Sequence, residues 1–412
     1  MTLFALAAGA TLTIWVRDSV AEWIYEIGVC VLGAIIFARA AFRKPLENPG
    51  LGIPTVAVAL IGMWGFGQLA AGQTVYRWAT LTGGLRMLGL AATGLAAWHA
   101  LERSRTREAF LDTLAWFGFL LSGVSVLAYF TSVGKVLWVF PAPYPDVWGP
   151  FLSRNNFAQF LELVLPVAWA RGLEPGLRTE SRRLYPVMAA VMLAAGLASA
   201  SRAGAVLLLV ESCAVFWLVW RNASRRHAAE IRRALVPFAA VAVVCGVLAG
   251  AGTVWVRLRN SDPLEYRREI YHSTLQIIRE HPWMGTGLGT FSHVYPAYAT
   301  FDSGAVVEHA HCDWLEWAAE GGLGYAAIWG LLSVWLVRPA IRSIWGLGVL
   351  AVLVHALVDY PFARFGVAAW AFILAGALAR YRPARDPGSG NGSRSGNERT
   401  RPLAALMERS RV

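Results

Sequence analysis

Glu265-Tyr-Arg-Arg-Glu-Ile-Tyr-His272, His281-Pro-Trp-Met-Gly-Thr-Gly-Leu-Gly-Thr-Phe291, Glu308-His-Ala-His-Cys-Asp-Trp-Leu-Glu316 and Glu320-Gly-Gly-Leu-Gly324 punctuate a single stretch, residues 257 to 324. It is the only long polar interval between two hydrophobic halves, and five of the eight histidines lie in it. Around it the chain is 56% hydrophobic and only 15% charged over 412 residues. Soluble domains carry nearer a quarter charged residues, so the composition predicts a polytopic membrane protein. The fold class expected is all-α.

A spanning helix needs about 20 mostly apolar residues. That length gives twelve candidate spans, at 2–16, 21–42, 52–72, 77–101, 109–131, 156–170, 184–200, 204–220, 234–256, 322–338, 343–359 and 363–380. With the N-terminus in the cytoplasm, the inside loops carry 24 basic residues and the outside loops 10. The positive-inside bias therefore predicts both termini cytoplasmic and the long loop at 257–321 outside, away from ATP and nucleotide sugars. The formal charge of +11 is dispersed among short loops and is no nucleic-acid footprint. Residues 383–412 are low in complexity and polar, which predicts a disordered cytoplasmic tail. Cys30, Cys213 and Cys245 fall in apolar runs, and with Cys312 they have no metal-like spacing.

Charges at membrane level are the informative exceptions, since they need a partner or a polar cavity. Arg86 falls about nine residues into the fourth span, roughly 13 Å deep; a structural role and a lipid-phosphate role are both open. Arg202, in Ala200-Ser-Arg-Ala-Gly204, sits in an outside turn, as a snorkelling side chain or as a ligand-binding one. In Ser153-Arg-Asn-Asn-Phe-Ala158 an arginine and two amides stand at the mouth of the sixth span, where Asn155 is placed to cap the helix. Arg267 and Tyr271, and Arg268 and His272, share helix faces at i,i+4 spacing. Gly-Thr-Gly-Leu-Gly-Thr at 285–290 resembles a nucleotide loop but lacks the preceding strand and spacing that reading requires. His309 and His311 precede an amphipathic helix suited to a membrane interface. His-x-His without a third ligand is weak as a metal site; a general base or a helix-capping histidine fits better, since imidazole titrates near neutral pH. His355 and Asp359, one turn apart, read as a structural hydrogen-bonded pair.

Taken in order, Arg154-Asn155-Asn156, Ser201-Arg202-Ala-Gly204, Arg267-x-x-Ile-Tyr271 with His281-Pro-Trp-Met-Gly-Thr-Gly, His309-Ala-His311-x-x-x-Leu-Glu316 and His355-Ala-Leu-Val-Asp359-Tyr-Pro361 resemble the O-antigen ligase and polymerase superfamily over roughly residues 150 to 380. The resemblance implies a bacterial inner (cytoplasmic) membrane glycosyltransferase domain over 1–382, with a helical core at 157–256 and 322–380. The loop at 257–321 becomes its periplasmic catalytic loop, containing short helices. It implies transfer of a glycan from an undecaprenyl-diphosphate carrier to a hydroxyl of a glycan, lipid A core or protein acceptor. By position, His311 matches the essential loop histidine, and Arg202 and Arg267 the arginines that hold the diphosphate. Arg154, Asn155, Arg86, His309 and Arg268 are further candidates for substrate binding. Cys312 and Ser153 stand where many members have asparagine.

The chemistry implied is an inverting single displacement with no cofactor and no metal. The donor bond already stores the energy, and arginines offer fixed bidentate charge to the leaving diphosphate. Membrane lipids surround the protein, and no nucleic acid partner is expected. A polymerase extending the carrier-linked chain is the alternative within the class. A lipid or glycan transporter is the alternative outside it, disfavoured by the lack of repeats and of a carboxylate deep in any span.

Overall fold

The computed structural model describes residues 1–16, 20–43, 52–143, 147–173, 179–222, 265–300, 302, 304 and 306–381. The expected span at 234–256, the opening of the loop at 257–264 and the tail at 383–412 lie outside the described residues. The long elements among the described residues are all helices: α1 Thr2–Leu12, α2 Val20–Arg43, α3 Ile53–Ala70, α4 Arg77–Ala100, α5 Ser104–Thr131, α6 Arg154–Gly172, α7 Thr179–Ala198, α8 Arg202–Asn222, α9 Glu265–Glu280, the single turn α10 Phe291–Val294, α11 Asp313–Ser343, α12 Leu347–His355 and α13 Phe365–Arg380. A two-residue hairpin pairs Lys135–Val136 with Phe140–Pro141.

Among the described residues, three helices are long and apolar enough to cross a membrane: Ser104–Thr131, Arg202–Arg221 and Asp313–Ser343. Shorter apolar helices accompany them at Thr2–Leu12, Pro54–Ala70, Arg183–Ala198 and Phe365–Arg380. Two expected spans are shorter than their apolar runs. The helix expected at 2–16 ends at Leu12, because the chain turns there and the Trp15 indole donates to the Leu12 carbonyl. The helix expected at 343–359 covers only Leu347–His355, nine residues or about 13 Å. Ile344 adopts φ +58 and the Ser343 hydroxyl accepts the Gly346 N–H, so the chain reverses before α12 begins. Both are corrections to boundaries that apolar length alone could not place.

At the centre stands α6, buried from Asn156 through Trp169 and packed by α5, α7, α8 and α12. A helix that is buried on every side belongs in the middle of its bundle. Within a bilayer apolar burial does not drive helices together, so close packing and interhelical hydrogen bonds of about 0.6 kcal/mol each must do so. Both are present. A Cβ on Gly376 of α13 would meet the Gly94 carbonyl of α4 at 2.1 Å, so only glycine allows that approach. Thr11 of α1 donates to the Gly366 carbonyl (2.9 Å) and accepts from the Trp370 indole (2.8 Å). At one end of α6, Arg171 grips Asp112 of α5 through Nε (2.6 Å) and Nη2 (3.0 Å), and the Tyr185 hydroxyl donates to the same carboxylate.

The element that positions the site is α11. It is broken at Gly322, whose φ of 77 and ψ of 174 are non-helical. The expected start of a span at 322 therefore coincides with an elbow: residues 313–321 form a helix of their own, as the polar face before the apolar run suggests. Only glycine adopts this backbone geometry readily, and a side chain there costs about 1–3 kcal/mol in strain alone. A Cβ at Gly322 would also lie 2.1 Å from the Trp283 carbonyl. Gly322→Ala should lower the thermal midpoint of the purified protein by several degrees. Gly330→Ala, at a helical position with open space around it, should leave it unchanged or raise it. Equal midpoints for the two variants would show that the elbow does not depend on glycine.

Candidate active site

Asp313, Glu316 and Glu320 repeat at intervals of three and four, which places them on one face of the first part of α11. All three are buried, and each accepts backbone N–H groups from a different segment. Asp313 Oδ2 takes the N–H of Phe362 (2.9 Å). Glu316 Oε2 takes that of Ala310 (2.7 Å), while its Oε1 lies 2.9 Å from His309 Nδ1. Glu320 takes those of Gly289 and Phe291, both at 2.8 Å. One helical face thus holds three loops in place around a shared space.

The glycine run has this structural task. Gln68 of α3 donates to the Glu320 and Met284 carbonyls and accepts the Leu288 N–H. The N–H groups of Thr286 and Gly287 go to the Ala319 and Glu320 carbonyls. Gly287, at φ +109, has no room for a side chain against Thr74 and Thr80. The amides a nucleotide phosphate would need are used within the fold.

The space is a cavity of about 780 Å³. Its lining includes His309, His311, Arg86, Glu22, Asp313, Glu316, Glu320, Tyr360 and Arg364. Arg86, His309 and His311, far apart in sequence, are therefore brought to one place. Arg86 is paired with Glu22 at 2.6 Å, which settles its need for a partner. His309 is held by Glu316 and stacks on Tyr360 at 4.5 Å. The carboxylate that one face of α11 presents thus anchors His309 in its loop.

His311 is held differently. Its φ of +53 lies in the left-handed region, which is strained for a histidine. The hydroxyl of Tyr271 on α9 donates to its carbonyl (2.9 Å) and fixes that turn. Burial pushes the Tyr271 hydroxyl up to about 12 against the opposing pull of Arg267, so it stays protonated as a donor. His311 Nδ1 stands 3.7 Å from Asp359 Oδ1, beyond a hydrogen bond but within ion-pair reach, and has no hydrogen-bond partner among the described residues. Burial alone would raise Asp359, yet His311, His355 and Arg267 hold its carboxyl below its ordinary value. Asp359 is thus a fixed negative charge facing the imidazole.

The expected His355–Asp359 side-chain pair is not formed. His355 Nδ1 lies 2.7 Å from Glu162 Oε1 inside the bundle, while Asp359, past the end of α12, accepts from Gln159 Nε2 at 3.3 Å. The Asp359 N–H still bonds the His355 carbonyl (3.0 Å), but each side chain is taken by a different residue of α6. The expectation of no carboxylate deep in a span is also overturned, because Glu162 of α6 and Glu211 of α8 are both buried.

Arg267 is half-buried on α9, beside Tyr271, and donates through Nη1 to the Val358 carbonyl next to Asp359. Arg268 on the same helix is exposed and is not among the cavity-lining residues. Arg154 and Arg202 begin α6 and α8, which lie side by side: the Ser201 hydroxyl donates to Asn155 Oδ1 (2.9 Å) and accepts the Gly204 N–H. Asn155 is not the cap of α6. Ser153 is, accepting the Asn155 N–H (3.2 Å), and this leaves the Asn155 amide free to bind α8. The next residue, Asn156, donates to Gln159, which in turn donates to Asp359. The first two turns of α6 therefore connect the start of α8 to the carboxylate facing His311. Burial pushes the Cys312 thiol up to about 11, so it is no nucleophile near neutral pH.

Residues 187–330 match the O-antigen ligase family, Wzy_C. Over these residues the chain is similar to the O-antigen ligase and polymerase superfamily, as the motif order also suggests. It covers roughly a third of the chain, from α7 to the middle of α11, and includes Arg202, Arg267, His309 and His311. Arg86, Arg154, Asn155 and Asp359 fall outside the O-antigen ligase-like segment. No curated protein matches the chain.

Glu320→Gln tests the clamp on the glycine loop. One of its two accepting oxygens becomes an NH2 facing an N–H donor, at a cost of about 1–3 kcal/mol for the orphaned group. The thermal midpoint should fall and protease cleavage between residues 285 and 293 should quicken. Unaltered stability and cleavage would show that Glu320 does not hold the loop.

Proposed function

We propose that this protein transfers a glycan from an undecaprenyl-diphosphate carrier to an acceptor hydroxyl on the periplasmic face of the bacterial inner membrane. The observation that carries the reading is the setting of His311: a strained, positioned imidazole lining a cavity and faced by the buried carboxylate of Asp359. In this reaction the acceptor oxygen attacks the anomeric carbon of the donor sugar. The carbon–oxygen bond to phosphate breaks, the diphosphate leaves with the bonding pair, and the acceptor proton passes to His311. Asp359 orients the ring and stabilises the imidazolium that forms. One displacement inverts the anomeric centre.

Arg267 and Arg202 hold the diphosphate. A guanidinium has five N–H donors, so the bond from Arg267 to Val358 leaves others for phosphate oxygens. Arg154 and the Asn155–Ser201 link place α8 and its first residue; Arg86 and His309 shape the cavity; Arg268 faces outward. Fixed guanidinium charge meets the developing negative charge directly, and the reading calls for no metal or cofactor. A polymerase that adds carrier-linked units to one another would use the same site.

His311→Ala should lower transfer from a carrier-linked donor by about 10²–10⁴-fold while carrier binding persists. Arg267→Lys should not restore wild-type turnover, because an ammonium lacks the planar fork. Normal transfer by His311→Ala would remove the imidazole from the mechanism.

The outward placement of the loop is tested separately. In a background without native cysteines, Thr300→Cys in intact spheroplasts should react with a membrane-impermeant maleimide. Reaction only after permeabilisation would reverse the topology and, with it, the reaction proposed.

A further inference from the structure

Helix α5 is one of the three helices long and apolar enough to cross a membrane. Leu120, Val124 and Leu127 recur along it at i, i+4 and i+7, and all three are exposed, so they form one stripe turned away from the bundle. An apolar stripe left open on such a helix is turned to lipid. The stripe does not stop where α5 does. Phe130 is exposed in the last turn, and the hairpin that follows adds Val133, Val139 and Phe140. Val133 is 93% exposed and Val139 66%, so neither is covered by its own chain. Apolar exposure thus continues from the helix into the hairpin.

The hairpin has the chemistry of a boundary between lipid and water. Its backbone is irregular: Val133, Leu137 and Trp138 all adopt left-handed φ, at +53, +48 and +64. Irregular backbone open to lipid is excluded from the hydrocarbon, where its N–H and C=O groups would find no partner, so its place is among the hydrated headgroups. The Trp138 indole donates to the Thr131 hydroxyl (2.8 Å), and tryptophan favours the headgroup level. Exposed Lys135, the one charged residue of the hairpin, supplies a cation for lipid phosphates while its stem lies along apolar neighbours. The hairpin also touches the cavity wall. The Phe140 ring stacks on Trp15 at 4.4 Å, and Thr13, Ile14, Trp15 and Val16, the turn that follows α1, line the cavity.

We infer that the hairpin at 132–141 is seated in the headgroup region of the membrane, with lipid as its partner, and that through Phe140 and Trp15 it braces the turn after α1 as a wall of the cavity. A second copy of this chain is the competing occupant of such a surface. Continuity with the stripe on α5 and the cation at Lys135 favour lipid. The inference stands apart from the transfer reading, since it concerns where a wall of the cavity is fixed and not what the cavity binds.

The test places a nitroxide on Val133→Cys or Val139→Cys in the full chain, without native cysteines, in nanodiscs of phosphatidylethanolamine and phosphatidylglycerol. Collision with oxygen, which partitions into lipid, is compared with collision with a water-soluble nickel chelate. Leu127→Cys and Thr300→Cys serve as the lipid and water references; both positions are exposed. The hairpin labels should favour oxygen and lie about 5–10 Å below the phosphates, the depth of an interfacial segment. Preference for nickel, as at Thr300, would put the hairpin in water, and little collision with either reagent would put it under protein. Each of these results overturns the inference. Two exposed positions keep the test open if one variant fails to fold. The brace is read separately: Phe140→Ala, at a partly exposed position, should narrow the lines of a nitroxide on Thr13→Cys as the turn gains freedom. An unchanged Thr13 spectrum overturns the brace.

Discussion

The site depends on the three carboxyl groups of Asp313, Glu316 and Glu320 accepting backbone N–H groups from three loops. Loops expose their amides, and an amide buried without a partner costs about as much as a lost hydrogen bond. Here the polar needs of residues 309–310, 289–291 and 362 are met by one helical face. Burying that face without the loops would orphan three carboxyl groups; burying the loops without it would orphan their amides. Each half of the arrangement makes burial of the other possible, and the cavity is what remains between them.

The same pairing commits the carboxyl groups to the loops, while the cavity's own arginines face Glu22 and Glu308. His311, faced by Asp359, lines the same cavity. The left-handed turn at His311 costs backbone energy that a looser loop would release by moving. The Tyr271 hydroxyl and the α11 N-terminus prevent that movement, because the Asp313 N–H is bonded to the Ala356 and Asp359 carbonyls. The strain is therefore maintained by packing from α9, α11 and the segment after α12.

Much of the scaffold was legible from apolar length and loop charge. The helices near 21–42, 52–72, 77–101, 109–131 and 204–220 appear with modest shifts at their ends. Composition could not show where the chain reverses inside an apolar run, as at Ile344, because the cause is a local hydrogen bond and not polarity. In the site, motif order singles out His311, Arg202 and Arg267, and it also marks the stretch 265–324 as the part to read. It also pairs His355 with Asp359 by spacing, and the spacing is kept in the backbone, but Glu162 and Gln159 of α6 take the two side chains instead. The stripe at Asp313, Glu316 and Glu320 is present as i, i+3, i+7 spacing. Its meaning is hidden because its partners are backbone amides, which every sequence contains. Glu162 and Glu211 escape notice inside apolar runs for the opposite reason, since a single acid barely lowers the hydropathy of its window.

The elbow at Gly322 has a mechanical consequence. Residues 323–343 form an arm about 30 Å long at 1.5 Å per residue, rigidly joined to the short helix that bears the carboxyl stripe. The Leu323 N–H is bonded to the Pro282 carbonyl and the Trp64 indole to the Gly321 carbonyl, so the joint has little freedom to absorb a change in tilt. An apolar helix adjusts its tilt to the thickness of the bilayer around it. Through this joint, such a tilt becomes a displacement of the stripe and of the three loops it holds. Bilayer thickness thereby acts as a variable of the site itself, coupling the composition of the membrane to the geometry at His311.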